Sequence, residues 1–303
     1  MFDIVTFGSA VVDLFVDTDV AEKKGMISYK VGSKILLKNL RWDIGGGGTN
    51  TAVAFSRLGL KTGCICKIGD DEAGRGILDL FFREKVRFLG KIAVREMSGY
   101  SVVLDSKGGD RTILTYKGIN NKIKQEDIKF RKIKTKWLYL TSLLGESFQS
   151  QIKLAEFLKK RGTKIVYNPS EYIIRKYGKK KLGRLVRLCD VIIMNKEEAR
   201  LLAGKGDLLL GLRRLTADKG IVVITDKNKR IEAYDGNKRY YLMPHKVKVV
   251  ERTGAGDAFA SGFVASLVAG MGIEEGLKLG LMESESVIRY FGAKNNLLRM
   301  RLR

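Results

Sequence analysis

The sequence predicts an α/β fold in which a mostly parallel central sheet lies between helices and a small β sheet protrudes from it. Three observations carry that expectation. Short apolar, β-rich runs recur along the chain, helical periodicities lie between most of them, and two segments, 11–44 and 92–118, break the alternation. Strands buried on both faces read as continuous apolar runs, and their alternation with amphipathic helices is the pattern of a parallel sheet covered on both sides. The 303 residues, 45% of them hydrophobic, suffice for a large core, and one domain over 1–303 is expected.

In chain order, the expected core strands are Ile4–Ser9, Gly63–Ile68, Trp137–Ser142, Lys164–Asn168, Val191–Met194 and Ile221–Thr225. Ile77, Leu80, Phe81 and Glu84 share the spacing of one helix face, and Phe148, Ile152, Ala155 and Leu158 that of another. Segment 11–44 holds strand-like pieces without a clear helix. Segment 92–118 reads as a hairpin turning at Lys107-Gly108-Gly109. Together these pieces are expected to form a lid that excludes water from a site at the strand ends. In parallel sheets ligands bind beyond the C-terminal strand ends. Asn168, Asn195 and Thr225-Asp226, which end three of the runs, are therefore candidate site residues.

Composition narrows the function classes. Cys64, Cys66 and Cys189 form no even framework, and Cys64-x-Cys66 lacks metal-ligand spacing, so reduced thiols are expected. His245 is the only histidine, which disfavours a multi-histidine metal site. The net charge of +24 raises nucleic acid as a partner. The basic residues are dispersed, however, and no aromatics interleave with Lys179-Lys180-Lys181 as a stacking platform requires, so nucleic-acid binding is not expected. The N-terminal apolar run is broken by Asp3 and Asp13 and lacks a basic leader, and no eighteen-residue apolar stretch exists. Neither secretion nor a membrane span is expected, and a cytoplasmic location is.

Residues 251–263 are the most informative stretch. Gly254-Ala255-Gly256-Asp257 precedes an apolar run at helical spacing, Ala258, Phe259, Phe263, Val264 and Leu267. Glycines permit a tight turn and close approach of a ligand, and a helix beginning there aims unpaired N–H groups and its positive dipole end at an anion. A carboxylate at the same spot suits a base that takes a proton from a hydroxyl attacking phosphorus. A plain tight turn with Asp257 capping the helix satisfies the same residues. A second cluster, Gly45-Gly46-Gly47-Gly48-Thr49-Asn50, also precedes a helix, and Asn50 suits a polyol hydroxyl. The cluster is not a dinucleotide fingerprint, and the chain has no Gly-x-x-x-x-Gly-Lys-Ser/Thr.

Taken in order, these motifs resemble the ribokinase-like (PfkB) family of carbohydrate kinases nearly end to end. Gly8-Ser9 with Asp13 resembles its first strand, and Gly45-Gly46 with Asn50 its first signature. Ile68-Gly69-Asp70-Asp71-Glu72-Ala73-Gly74 resembles the segment after its second core strand. Asn195-Lys196-Glu197-Glu198 resembles its Asn-x-x-Glu motif, Thr253-Gly254-Ala255-Gly256-Asp257 its second signature, and Gly292-Ala293 its C-terminal Gly-Ala. The resemblance implies a ribokinase-like three-layer α/β/α fold and transfer of a phosphoryl group from ATP to a small sugar or, alternatively, a nucleoside. Asp257 would be the base, and the N–H groups of Gly254, Ala255, Gly256 and Asp257 the anion hole. Asp13, Gly45, Gly46 and Asn50 would grip the substrate, with Arg111 reaching it from the lid. Asn195, Thr225, Lys227, Thr253 and Gly256 would meet the nucleotide. Glu198 would place Mg2+ through water, and Glu251 would stand at the place of a monovalent cation, K+.

The chain departs from that pattern at three places. Glu251-Arg252 stands where Asp-Thr is usual, Lys227 where a glycine follows Thr225-Asp226, and Met282-Glu283-Ser284-Glu285 where small residues line the adenine pocket. Two carboxylates there would reshape the base site. Asn195 with Glu198 also fits a capping box that only starts a helix. These departures motivate a reading from another class, a catalytically weakened binding or regulatory protein. An exposed lid sheet makes a homodimer plausible through its edges.

Overall fold

A computed structural model describes residues 1–18, 20–105 and 111–302, with the main chain alone at Arg111. In chain order its elements are β1 (Phe2–Phe7), β2 (Val11–Asp17), β3 (Asn39–Gly45), α1 (Gly47–Arg57), β4 (Thr62–Ile65), β5 (Lys67–Gly69), α2 (Glu72–Arg83), β6 (Arg87–Phe88), β7 (Lys91–Ala93), β8 (Gly99–Asp105), β9 (Arg111–Tyr116), β10 (Thr135–Thr141), α3 (Gly145–Lys159), β11 (Lys164–Asn168), α4 (Glu171–Val186), β12 (Val191–Asn195), α5 (Lys196–Ala203), α6 (Leu208–Leu215), β13 (Ile221–Thr225), β14 (Ile231–Tyr234), β15 (Arg239–Leu242), α7 (Ala255–Val268) and α8 (Ile273–Val287).

The main sheet runs β15-β14-β13-β12-β11-β10-β1-β4-β6. From β6 to β13 neighbouring strands are parallel. Alternate residues feed opposite faces: Leu138 and Leu140 of β10 pack with α3 and α4, whereas Trp137 and Tyr139 pack with α7 and α8. This two-sided burial is why the strands read as unbroken apolar runs. From β1 the chain adds β4 on one side, and from β10 it adds β11, β12 and β13 on the other. The order reverses between β1 and β10, so a crevice opens beyond their C-terminal ends.

A second sheet, β3-β2-β8-β9, draws β2 and β3 from segment 11–44 and β8 and β9 from segment 92–118. It hangs over the crevice, because Val11, Asp13, Ser101, Val103, Ile113 and Thr115 line the same cavity as the strand-end residues. The antiparallel pairing of β8 with β9 supports the expected hairpin, whose turn at Lys107-Gly108-Gly109 lies outside the described residues.

Two expectations are corrected, and one feature was not anticipated. The run Gly63–Ile68 is two strands: Cys66 separates β4 from β5, and β5 leaves the main sheet to pair with β7. Glu84 is not part of an apolar face. It sits just past α2 and pairs with Arg57 of α1 at 2.5 Å. Finally, the sheet ends in an antiparallel edge, β13-β14-β15. In β14 only Ile231 and Ala233 are buried, an alternation of four residues that is too brief to stand out as a pattern. The three cysteines are buried free thiols, as expected.

Candidate active site

The glycine pair before Asp257 forms the turn the sequence suggests. Gly254 holds φ +80° as the residue before α7, and a Cβ there would lie 2.6 Å from the Cβ of Ala293. The Gly292-Ala293 segment thus presses on the back of the turn. α7 runs 14 residues with Asp257 in its first turn, so its unpaired N–H groups and positive dipole end face the crevice. Ala255 is the weakest of the expected donors, since its N–H already reaches the Arg252 carbonyl at 3.3 Å. Glu251 ties the loop from within: its buried carboxylate accepts the Arg252 and Thr253 N–H groups at 2.7 and 2.9 Å and the Thr253 hydroxyl at 2.9 Å. Arg252 is exposed.

Asp257 is not the cap of α7, since Gly254 holds that place. Its Oδ2 instead accepts a hydrogen bond from Asn50 Nδ2 at 2.9 Å, across from α1. Asn50 Oδ1 in turn accepts from Lys294 Nζ at 3.0 Å. Lysine can only donate, so this bond fixes which end of the Asn50 amide faces Asp257. Burial raises the Asp257 carboxyl above its ordinary range, and the Asn50 bond and the Lys294 charge pull it back. Lys294 is only 3% exposed. Burial pushes its ammonium down, opposed by the carboxylates of Asp43, Asp13 and Asp257. Sequence reasoning missed Lys294, although it directly follows the Gly292-Ala293 motif.

Asp13 stands on β2 opposite Asp43 of β3 and Ser101 of β8. Burial raises its carboxyl, while a hydrogen bond from Ser101 and the charges of Lys294 and Lys117 offset part of that rise. Gly45 does not line the cavity but makes room for this carboxylate, for a Cβ on it would fall 1.8 Å from Asp13 Oδ2. Gly46 and Asn50 do line it, with Ser9, Thr141, Lys117 and Tyr172, in a volume of about 260 Å³. The buried Thr141 Oγ1 finds no partner among the described residues. A second cavity of about 240 Å³ is lined by Asn195, Glu198, Thr225, Gly256 and Phe259. The two share Asn168, Ser170, Gly254 and Asp257. Asp257 is therefore at the junction of two polar compartments.

Asn195 and Thr225 end adjacent strands in register. Asn195 and Glu198 form the capping box: Asn195 Oδ1 accepts the Glu198 N–H at 2.9 Å, and Glu198 Oε2 accepts the Asn195 N–H at 2.8 Å. Burial raises the Glu198 carboxyl to about 7. Capping and lining the cavity are thus compatible in one residue. Among the described residues no group of three or more acidic, histidine or cysteine side chains is arranged to hold a metal ion. A lone carboxylate suits Mg2+, which keeps several waters and takes phosphate oxygens rather than an all-protein cage.

One expected nucleotide contact is not brought in. Lys227 lines neither cavity. It is exposed, 3.6 Å from Glu197, and holds φ +51°, the left-handed conformation that the family's glycine would adopt without strain. Arg111 is paired through its main chain opposite Asp105, and its side chain lies outside the described residues. Neither Glu283 nor Glu285 lines either cavity. Glu283 is wholly buried and accepts the Leu298 N–H at 3.0 Å, and Glu285 binds the main chain and ring of His245.

This fold and site define a phosphotransferase class, and comparison with known proteins makes it specific. The sequence model described as pfkB family carbohydrate kinase matches residues 1–299. The chain belongs to that family and is a carbohydrate kinase of ribokinase-like fold. It is 27% identical to the ribokinase of Haemophilus influenzae over 276 residues, covering 88% of each chain. The crystal structure of the adenosine kinase from Sinorhizobium meliloti is similar, with a TM-score of 0.84 and 21% identity over 98% of this chain and 97% of that one. A putative ribokinase II from E. coli, solved with ATP and Mg2+, is similar with a TM-score of 0.82 and 17% identity over 99% and 96% of the two chains. No helix among the described residues is long and apolar enough to cross a membrane.

Proposed function

We propose that this sugar or nucleoside kinase transfers the γ-phosphoryl group of ATP to a hydroxyl of a small sugar, with Asp257 as general base. The observation that carries this reading is the place of Asp257, at the junction of the two cavities and in the first turn of α7. The acceptor would lie among Asp13, Gly46, Asn50 and Thr141, and its hydroxyl would give its proton to Asp257. The transferring group would rest on the N–H groups of the turn, Gly256 above all. Bound Mg2+ would neutralise charge between the phosphates, and Glu198, with Asn195, would hold it through water. Such a transition state needs positioning and charge neutralisation more than covalent chemistry.

A sugar is favoured over a nucleoside because the cavity's one ring, Tyr172, has Lys117 Nζ over its face at 4.8 Å. Tyr100 and Tyr116 do not line it. The weakened-regulator reading loses its support, since Glu251 organises its loop, Lys227 preserves the turn and Glu283 is in the core. A requirement for K+ near Glu251, and pairing of two copies through the exposed Leu40, Trp42 and Leu114 of the small sheet, belong to the same proposal. Purified protein with Mg2+ and ATP, screened against ribose, fructose, ketodeoxy sugars, adenosine and cytidine in K+ or Na+ buffers, tests it. Phosphorylation of a sugar is expected; turnover of nucleosides alone would refute the sugar assignment, and turnover of none with ATP, GTP or ADP the kinase reading.

A further inference from the structure

We propose that Lys294 is a positioning residue for phosphoryl transfer, whose ammonium locks the Asn50 amide and keeps the Asp257 carboxylate ionised and aimed into the crevice. The inference rests on the reading of Asp257 as the base.

The geometry is a three-member chain. Lys294 Nζ donates to Asn50 Oδ1 at 3.0 Å, and Asn50 Nδ2 donates to Asp257 Oδ2 at 2.9 Å. With the amide oxygen engaged by a cation, its nitrogen is obliged to face Asp257. Without the cation the amide is free to turn, and an oxygen presented to Asp257 would repel it. The chain also fixes where the base's lone pairs point, because Oδ2 is held by Asn50 and Oδ1 remains for the acceptor.

The charges around Lys294 give it a second task. Asp13 of β2, Asp43 of β3 and Asp257 of α7 all act on it, and Arg57 of α1 is the like charge nearby. Asp43 Oδ2 is buried with no hydrogen-bond partner among the described residues, so its compensation is electrostatic. Lys117 faces Asp13 from the other side, and the Tyr139 phenol adjoins Asp257. Removing the Lys294 charge would leave three carboxylates without the counter-charge they share. A like charge or a lost counter-charge raises a carboxyl's pKa. Asp257 would then hold its proton to higher pH, and a protonated base accepts none. A lysine 3% exposed is expensive to bury unless its charge is paired and hydrogen-bonded, as it is here.

The test is a pH–rate profile with the best acceptor of the screen. In Lys294→Met, kcat is expected to fall at least tenfold at neutral pH, and the acid limb to move alkaline by about one pH unit, with KM for ATP unchanged. In Lys294→Ala, methylammonium should restore rate saturably, and tetramethylammonium, too large for the space, should not. A measurement that keeps Lys294 in place guards against Lys294 variants that do not fold. The slowly exchanging lysine ammonium resonance should shift in Asp257→Asn. A folded Lys294→Met with the original rate and acid limb overturns the proposal, as does an ammonium signal blind to Asp257→Asn. If Asp257→Asn itself leaves turnover intact, the base assignment has failed instead, so the two failures are distinguishable.

Discussion

Replacing Glu283 with glutamine should change how stability depends on pH. Glu283 is 0% exposed, its Oε2 accepts one N–H, and its Oε1 has no partner among the described residues. Burial raises its carboxyl from 4.5 to about 7, against the pull of Arg57. Because the folded value lies above the unfolded one, the folded chain binds the extra proton between them. The stabilisation from that proton is complete below pH 4.5 and is lost as pH rises through 7. The gap of roughly 2.5 pH units, at 1.36 kcal/mol each, corresponds to about 3 kcal/mol. Glutamine mimics the protonated acid at every pH and keeps an oxygen for the Leu298 N–H. Urea unfolding at pH 5 and pH 8 measures the effect. The variant's stability relative to the parent should rise by up to about 3 kcal/mol between those values. Other groups with raised pKa, Glu198 among them, are common to both chains and cancel. Parallel stability–pH curves for the two would refute the account of a buried, uncompensated carboxyl.

Other outcomes follow from the site. Gly254→Ala should destabilise the chain and abolish turnover, because φ +80° and the contact with Ala293 both exclude a side chain. Gly256→Ala should fold normally, since its Cβ meets nothing within 4 Å, yet raise KM for ATP by filling the second cavity; melting curves beside kinetics separate the two. Asn50→Ala should reduce kcat by about 10–100-fold, the worth of a hydrogen bond to a charged group, as read by steady-state assay. Because Glu198 titrates near 7, the Mg2+ concentration giving half-maximal rate should fall as pH rises from 6 to 8, and the trend should vanish in Glu198→Gln. At physiological ionic strength the protein should not be retained on immobilised RNA or DNA, despite its charge of +24.

Much of the fold was legible because its causes are local. β11 and β13 fall on the ranges their apolar runs mark, and Phe148, Ile152, Ala155 and Leu158 are all buried on α3. Asp257 and Asn50 drew attention because glycines precede them, whereas Asp13, inside β2, was singled out only through the family resemblance. What escaped depends on approach in space. Lys294 lies 244 residues from the Asn50 it holds, and no periodicity singles out one lysine among 57 basic residues. Gly45 looked like a ligand contact, whereas the space it leaves belongs to Asp13 on the neighbouring strand. Lys227 looked like a nucleotide contact because its backbone role, a positive φ, is not visible in its charge. The edge strands β14 and β15 bury too few side chains each to leave a pattern.

The central claim is that Asp257 takes the acceptor's proton. Asp257→Asn keeps the size of the side chain and removes its basicity. With the melting temperature preserved and KM for ATP within a few-fold, kcat should fall by about 10²–10⁴. A folded Asp257→Asn that turns over at the parent rate would contradict it.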